Sequence, residues 1–510
     1  MSTTATSPEP SSRISRRAAS RPGAGRCAMV VSLLLLLNFL YFLCSTGRVR
    51  TMDEVSAAFQ VESLARHGTA AIPQAIRAQL FYGRIDRFGD PESPYPPAQA
   101  LAMLPWYAAG QFAAQHFPGI AKGARDIVSD FFLTGESALF SALAAALALF
   151  IFLQLGIAPK TSLAAAAILA LATPLAAYSG WLFSEPLAAA LLLGAAAVLF
   201  AQPQEASITV PRALLAGVLL GAAIWVRPTH VLAVPVFLAA VFARQRNRGW
   251  SAAVAIAAAA GIAASMMLWR NTYLYGSPFV FGYPSATEGG KIVNTFETPL
   301  ATGLAGFLFS PGKSIFLFSP PILLALIGLP RLWRRDRGLA VVAAVMPLVY
   351  LLFYATYTQW EGGYCYGPRY LVPSLALLGL GVGTALETTS RGVRRLAAGV
   401  FIAGFFVQVI GVATSFLEAA VAGGYYDAQY NYRMSYSPLS LQTRLLLHYA
   451  STSTPAPIGR GFDKWWIFLS RAGVSNATLI IMAGSLLLCA IASAWWLRRA
   501  FSKATATTTA

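Results

Sequence analysis

Apolar runs recur along the whole chain, separated mostly by short polar stretches. A helix needs about 20 residues to cross the hydrocarbon core of a bilayer. Runs of roughly that length fall near 26–46, 129–155, 161–179, 184–201, 212–226, 229–243, 251–270, 314–331, 339–357, 368–387, 396–418 and 475–496. The pattern predicts an all-α polytopic membrane protein of about twelve transmembrane helices. One polar stretch, 48–128, is far longer than an ordinary connector. It contains two amphipathic segments, Glu54 to His67 ending at Gly68, and Pro97 to Phe117 after the Pro94-Tyr95-Pro96-Pro97 turn. Both are expected to lie flat at the membrane interface. Further long loops are expected at 273–313 and 420–474. The chain divides into a tail (1–25), a first membrane module (26–272) and a second (273–510).

Composition narrows the class. Of 510 residues, 56% are hydrophobic and 11% charged, outside the range of soluble domains. The formal net charge of +18 would suggest nucleic acid in a soluble protein. In a membrane protein it is accounted for by cytoplasmic Lys/Arg bias and anionic headgroups, so no nucleic-acid partner is expected. Cys27, Cys44, Cys365 and Cys489 are too scattered for a disulfide framework or a metal cluster. Residues 1–25, rich in Ser, Arg and Pro, are expected to form a disordered basic tail. The first apolar run lacks a small-residue cleavage site and is read as a retained signal anchor.

Charge sets the orientation. With twelve spans, the groups Arg13/Arg16/Arg17/Arg21, Lys160, Arg244/Arg246/Arg248, Arg331/Arg334/Arg335/Arg337, Arg391/Arg394/Arg395 and Arg498/Arg499/Lys503 all fall on one face. That face is expected to be cytoplasmic in an inner (plasma) membrane. The long loops, and the isolated ionisable residues at helix ends, then face the periplasm.

Those isolated residues are the candidates for chemistry. Asp53-Glu54 opens the first long loop; two adjacent carboxylates can act as general base and orienting partner, or simply favour the positive end of a helix dipole. Glu185, in Ser184-Glu185-Pro186, is a helix-start acid or a buried partner of a cation. Arg227, at Arg227-Pro228-Thr229-His230, can bind an anion or reach for lipid headgroups. His230 is a polar core residue or a ligand contact. Arg270 precedes a polar segment. Gly312-Lys313-Ser314 lacks the earlier glycine and strand of a nucleotide-binding loop, but a glycine turn opening a helix still offers N–H groups and a Lys to phosphate. Trp360-Glu361-Gly362-Gly363-Tyr364-Cys365-Tyr366-Gly367-Pro368-Arg369-Tyr370 combines rings suited to sugars with an Arg suited to phosphate. It also fits an interfacial aromatic belt.

Several of these features together resemble the membrane glycosyltransferases of the GT-C superfamily that use polyprenyl-phosphate sugars. The nearest branches are bacterial relatives of protein O-mannosyltransferases and the aminoarabinose transferases of lipid A. The resemblance rests on Asp53-Glu54, Tyr95-Pro96-Pro97, Ser184-Glu185-Pro186, Arg227-Pro228 and Gly367-Pro368-Arg369-Tyr370, over roughly residues 26–390. Two positions depart from the pattern. Val55-Ser56 stands where relatives often have Arg-Tyr, and Tyr95 where they often have Lys.

The resemblance implies an inverting transfer of a sugar from a polyprenyl-phosphate donor to an acceptor glycan, lipid or protein. Asp53 would be the base and Glu54 its partner. Arg270, Lys313, Arg369 and Arg227 would hold the donor phosphate. Glu185, Tyr95, His230, Trp360, Glu361 and Tyr370 would contact sugar or acceptor. No cofactor is required, and a divalent metal held by the acids and a phosphate oxygen is compatible. The alternatives are a flippase or transporter for polyprenyl-linked glycans, and a non-catalytic envelope assembly protein. The scarcity of ionisable groups at mid-depth in the spans argues against ion-coupled transport.

Overall fold

The computed structural model describes residues 23–284, 287–288, 291–292, 295–388, 390–422, 428–451 and 462–509. The expected basic tail lies outside the described residues up to position 22. Among the described residues the fold is almost entirely helical, with two short two-stranded hairpins.

Among the described residues, six helical segments are long and apolar enough to cross a membrane: Ala24–Leu43, Lys122–Gln154, Pro228–Tyr275, Arg337–Ala355, Arg391–Ala413 and Asn476–Ala506. Five shorter apolar ones accompany them: Pro159–Ala172, Glu185–Phe200, Val210–Val226, Leu300–Phe309 and Arg369–Ala385. Every apolar run read from the sequence is at least partly helical, but several are broken. The 161–179 run divides at Thr173, which is extended (φ −124°, ψ 166°) because the next residue is Pro174. The 314–331 run divides at Ser319-Pro320-Pro321, between Ile315–Phe318 and Ile322–Arg335. The 396–418 run stops at Ala413, and the chain turns at extended Thr414 before Phe416–Ala422.

In the first long loop the two expected helices form as Met52–His67 and Ala98–His116. Between them a hairpin pairs Arg84 with Glu92 and Ile85 with Pro91. The helices Leu300–Phe309, Pro438–Ser451 and Trp465–Arg471 lie in segments read from the sequence as loop.

The main core is Ala- and Leu-rich, with Phe152, Phe200, Phe237, Leu324, Met346 and Leu377 buried in it. Small side chains let helix backbones approach without a large apolar driving force from the solvent. A second core joins the two ends of the chain. Met29, Leu33 and Leu37 pack with Phe131, Leu479 and Met482, and Phe131 stacks on Trp465 at 4.5 Å.

The helices carry two chemically distinct ends. At one end Arg244 is fully buried, 2.7 Å from Asp336 Oδ2, and donates to the carbonyl of Phe200 at 3.2 Å. Asp336 in turn accepts from the Leu339 amide at 2.8 Å, capping Arg337–Ala355. Nearby in sequence, Arg335 bonds the Leu155 carbonyl and Glu387, each at 2.7 Å. Arg244 and Asp336 thus meet the Phe200 end of Glu185–Phe200. Glu185 lies at the opposite end of that helix, about 22 Å away at 1.5 Å per residue.

Candidate active site

The site is built at the Glu185 end. Asp53 sits in the first turn of Met52–His67, whose start is fixed by a capping box. Thr51 Oγ1 accepts from the Glu54 amide at 3.3 Å, while Glu54 Oε2 accepts from the Thr51 and Arg50 amides at 2.9 Å each. The Leu182 amide donates to Glu54 Oε1 at 3.1 Å. Glu54 is 0% exposed and does not line the cavity described below. The sequence reading made it a partner in catalysis; the structure has both of its oxygens occupied by backbone amides. Removing a buried acceptor costs about 1–3 kcal/mol for each donor left without a partner. Glu54→Ala is therefore expected to lower the thermal unfolding midpoint clearly while leaving donor affinity unchanged, and a binding assay on the folded fraction checks this.

The adjacent carboxylate points the other way. Asp53 Oδ1 accepts from the Tyr95 hydroxyl, and Asp53 Oδ2 from Arg369 Nη1. Arg369 Nε donates to Glu185 Oε1 at 2.7 Å, and Arg227 Nη1 is 3.3 Å from the same oxygen. The result is a continuous chain, Tyr95–Asp53–Arg369–Glu185–Arg227. Burial alone would raise the Asp53 carboxyl. The Arg369 guanidinium, the Tyr95 hydroxyl and Arg227 outweigh it and hold the carboxyl below its usual value. The Tyr95 phenol is pushed well above its usual value by burial and by the Asp53 charge, so it stays protonated.

Arg369 reaches this position through the glycine turn that precedes it. Gly362, Gly363 and Gly367 all have left-handed φ, at 78°, 65° and 65°. A Cβ on Gly367 would lie 2.7 Å from the Phe318 ring. The guanidinium then rests 4.0 Å over the Phe183 ring. Arg227 has no such double pairing. It lies 5.2 Å from the Tyr370 ring centroid and 5.7 Å from that of Tyr95. Its Nε is buried without a hydrogen-bond partner, as is Glu185 Oε2.

A cavity of about 680 Å³ opens beside this chain. Its polar pole is made by Arg50, Asp53, Tyr95, Arg227 and Arg369. Its walls are aromatic and aliphatic: Tyr82, Phe281, Tyr283, Phe296, Phe353, Tyr354, Tyr357, Tyr370, Val231, Leu232 and Leu417. Tyr370 stacks on Tyr354 at 4.5 Å, and Tyr354 shares a hydrogen bond with Thr229 at 2.7 Å. A ligand with an anionic head and an apolar body matches such a cavity in both parts.

The other sequence candidates lie elsewhere. Arg270 donates to Glu92 at 2.6 Å and is absent from the cavity wall. Lys313 is 1% exposed; its Nζ donates to the carbonyls of Cys365 (3.2 Å) and Gly363 (3.4 Å) and to Cys365 Sγ (3.1 Å). It fastens the glycine turn rather than facing the main cavity. His230 is buried with its Nδ1 2.5 Å from the Tyr350 hydroxyl. Trp360 is buried edge-on against Phe307 at 5.4 Å, and Glu361 is not among the lining residues. Among the described residues, no three His, Cys, Asp or Glu side chains converge as a metal site. Of the tyrosines in the 420–474 loop, Tyr425 and Tyr426 lie outside the described residues.

Sequence reasoning missed Arg50 and most of the tyrosines. Arg50 pairs with Asp463, and Arg48 with both Asp463 and Glu418 at 2.8 Å each. The signal for these was two arginines directly after the first span, on the face that the charge bias assigns to few cations. The signal for the aromatic wall was Phe353, Tyr354 and Tyr357, clustered at the end of the 339–357 run.

No protein-family model matches the chain, and no curated protein matches it. Among solved structures, the chain is similar to ArnT from Cupriavidus metallidurans in the apo state, with a TM-score of 0.49 and 13% identity over 94% of this chain and 76% of that one. It is also similar to ArnT from the same organism bound to undecaprenyl phosphate, with a TM-score of 0.44 and 15% identity over 95% of this chain and 77% of that one.

Proposed function

We propose that this chain is an integral membrane glycosyltransferase that moves a sugar from a polyprenyl-phosphate donor to a hydroxyl acceptor at the extracytoplasmic face. The observation that carries the reading is the paired polar chain Tyr95–Asp53–Arg369–Glu185–Arg227 on the wall of a cavity of about 680 Å³ whose remaining walls are aromatic and aliphatic. The motifs read from the sequence point the same way. With twelve spans and the Arg-rich loops in the cytoplasm, the cavity faces the periplasm.

In this scheme the donor phosphate lies against Arg227, which lines the cavity and is paired with the one carboxylate Glu185. The sugar packs against the aromatic wall, and the isoprenoid follows the apolar residues beyond it. The acceptor oxygen attacks the anomeric carbon from the side opposite the phosphate, giving inversion. The bond to phosphate breaks with its electron pair going to the phosphate oxygen. A fixed cation stabilises that growing charge without reorganising, which suits a site shielded from water. Asp53 takes up the acceptor proton. A carboxylate held below its usual value still serves, because the acceptor hydroxyl becomes strongly acidic as its oxygen bonds to carbon.

Incubation of the purified chain with a radiolabelled polyprenyl-phosphate sugar and candidate acceptors tests the reading. A covalent glycosylated product is expected; lipid movement across a vesicle without product would support a flippase, and neither a non-catalytic assembly role. A hydrogen bond to a charged group contributes about 1.5–3 kcal/mol, or roughly ten- to a hundredfold. Arg227→Gln is accordingly expected to weaken donor binding by that factor while the unfolding midpoint changes little, since Glu185 keeps Arg369. Unchanged donor affinity would remove Arg227 from the phosphate site.

A further inference from the structure

We propose that Tyr95 is a catalytic proton relay between the acceptor and Asp53, an assignment that rests on the glycosyl-transfer reading above. The two carboxylate oxygens already accept charge-assisted or hydroxyl bonds, one from Arg369 and one from Tyr95. Tyr95 itself lines the cavity, and its phenol oxygen donates inward to Asp53 while keeping lone pairs to accept with. It is the group of the pair best placed to receive a proton from a hydroxyl in the cavity.

Its position is held from several sides. The Tyr95 amide donates to Ser93 Oγ at 3.2 Å, and Gln60 Nε2 donates to the Tyr95 carbonyl at 3.2 Å. The following Pro96-Pro97 restricts the backbone. Tyr283 meets the ring edge-to-face at 5.8 Å, and the Arg227 guanidinium lies 5.7 Å from the ring centroid. A phenol fixed this way retains its hydrogen bond to Asp53 whether the cavity is empty or filled.

The step balances as a two-proton shift. The acceptor O–H breaks as its oxygen bonds the anomeric carbon, and that proton moves to the Tyr95 oxygen. The proton that Tyr95 carried moves to Asp53 Oδ1. The carbon–phosphate oxygen bond breaks, and the electron pair leaves with the phosphate. The products are the glycoside, the polyprenyl phosphate and a protonated Asp53, which then returns its proton to solvent. Tyr95 ends as it began and never carries a net charge.

The test uses the full chain in lipid nanodiscs with a polyprenyl-phosphate sugar that the wild-type protein turns over. Tyr95→Phe keeps the ring and its packing and removes only the relay. It is expected to lower kcat by about a hundredfold or more, in the range of general acid–base contributions, with KM for the donor unchanged. The wild-type rate in mixed light and heavy water is expected to follow a curved dependence, because two protons move together. Fluorinated tyrosine at position 95 is expected to restore turnover, since the hydroxyl returns. A Tyr95→Phe kcat within about twofold of wild type, or a linear wild-type dependence on heavy water, would overturn the relay with the transfer reaction intact. If the wild-type chain transfers no sugar from any donor, the functional reading falls and the relay with it.

Discussion

Asp53→Asn is expected to lower kcat by about 10²–10⁴-fold, the range for loss of a positioned general base, while donor binding stays nearly intact. The substitution changes one atom and keeps the side-chain shape. It removes the charge that Arg369 and the Tyr95 hydroxyl both address. Donor affinity is expected to persist because the phosphate is assigned to Arg227, which pairs with Glu185 and not with Asp53. Single-turnover kinetics together with equilibrium binding of the donor lipid check both halves. Normal turnover by the variant would end the base assignment.

Arg369→Ala is the second large effect, and it is one of stability as much as of rate. Arg369 is 5% exposed and bonds two carboxylates that otherwise stand close together. Breaking a buried ion pair by removing one partner typically costs about 3–5 kcal/mol, because the partner charge remains buried. The unfolding midpoint in detergent is expected to fall accordingly. The pH profile is expected to move as well. Asp53 must be ionised to act, and in the wild-type chain its carboxyl lies below the usual value, so activity survives into acid. Without Arg369 the effect of burial dominates, the carboxyl rises, and activity is lost at a higher pH than in the wild type. Stability follows the same sign. The ionised Asp53 contributes above the carboxyl's unfolded value and loses that contribution as pH falls through the folded one. A variant with unaltered midpoint and acid limb would mean that Arg369 does not hold Asp53.

The two arginines thus divide roles that the sequence had given to four cations. Arg369 joins the two acids, and Arg227, on the cavity wall beside Glu185, is the cation proposed for the donor phosphate. Arg270 and Lys313 were plausible for the same reason, being single cations at the ends of apolar runs. Their partners decided otherwise. Glu92 lies in a hairpin that no periodicity announced, and the carbonyls that hold Lys313 belong to a glycine turn about 50 residues later. Asp53-Glu54 shows the same limit at a single step. Both acids fit a helix start and both fit a catalytic pair; the helix assigns one to each, because neighbouring residues on a helix point about 100° apart.

The sequence by itself determined the helical class, the apolar runs and the candidate residues at their ends, because these follow from composition and local spacing. Tertiary structure alone decided which scattered ionic groups meet. Asp53 and Arg369 are separated by 316 positions, and no local pattern encodes a contact made by packing helices side by side. The same holds for the assembly of the aromatic wall from distant segments and for the break at Thr414. Low dielectric makes an unpaired charge costly, so each buried ion had to find a partner, and only the folded chain shows which.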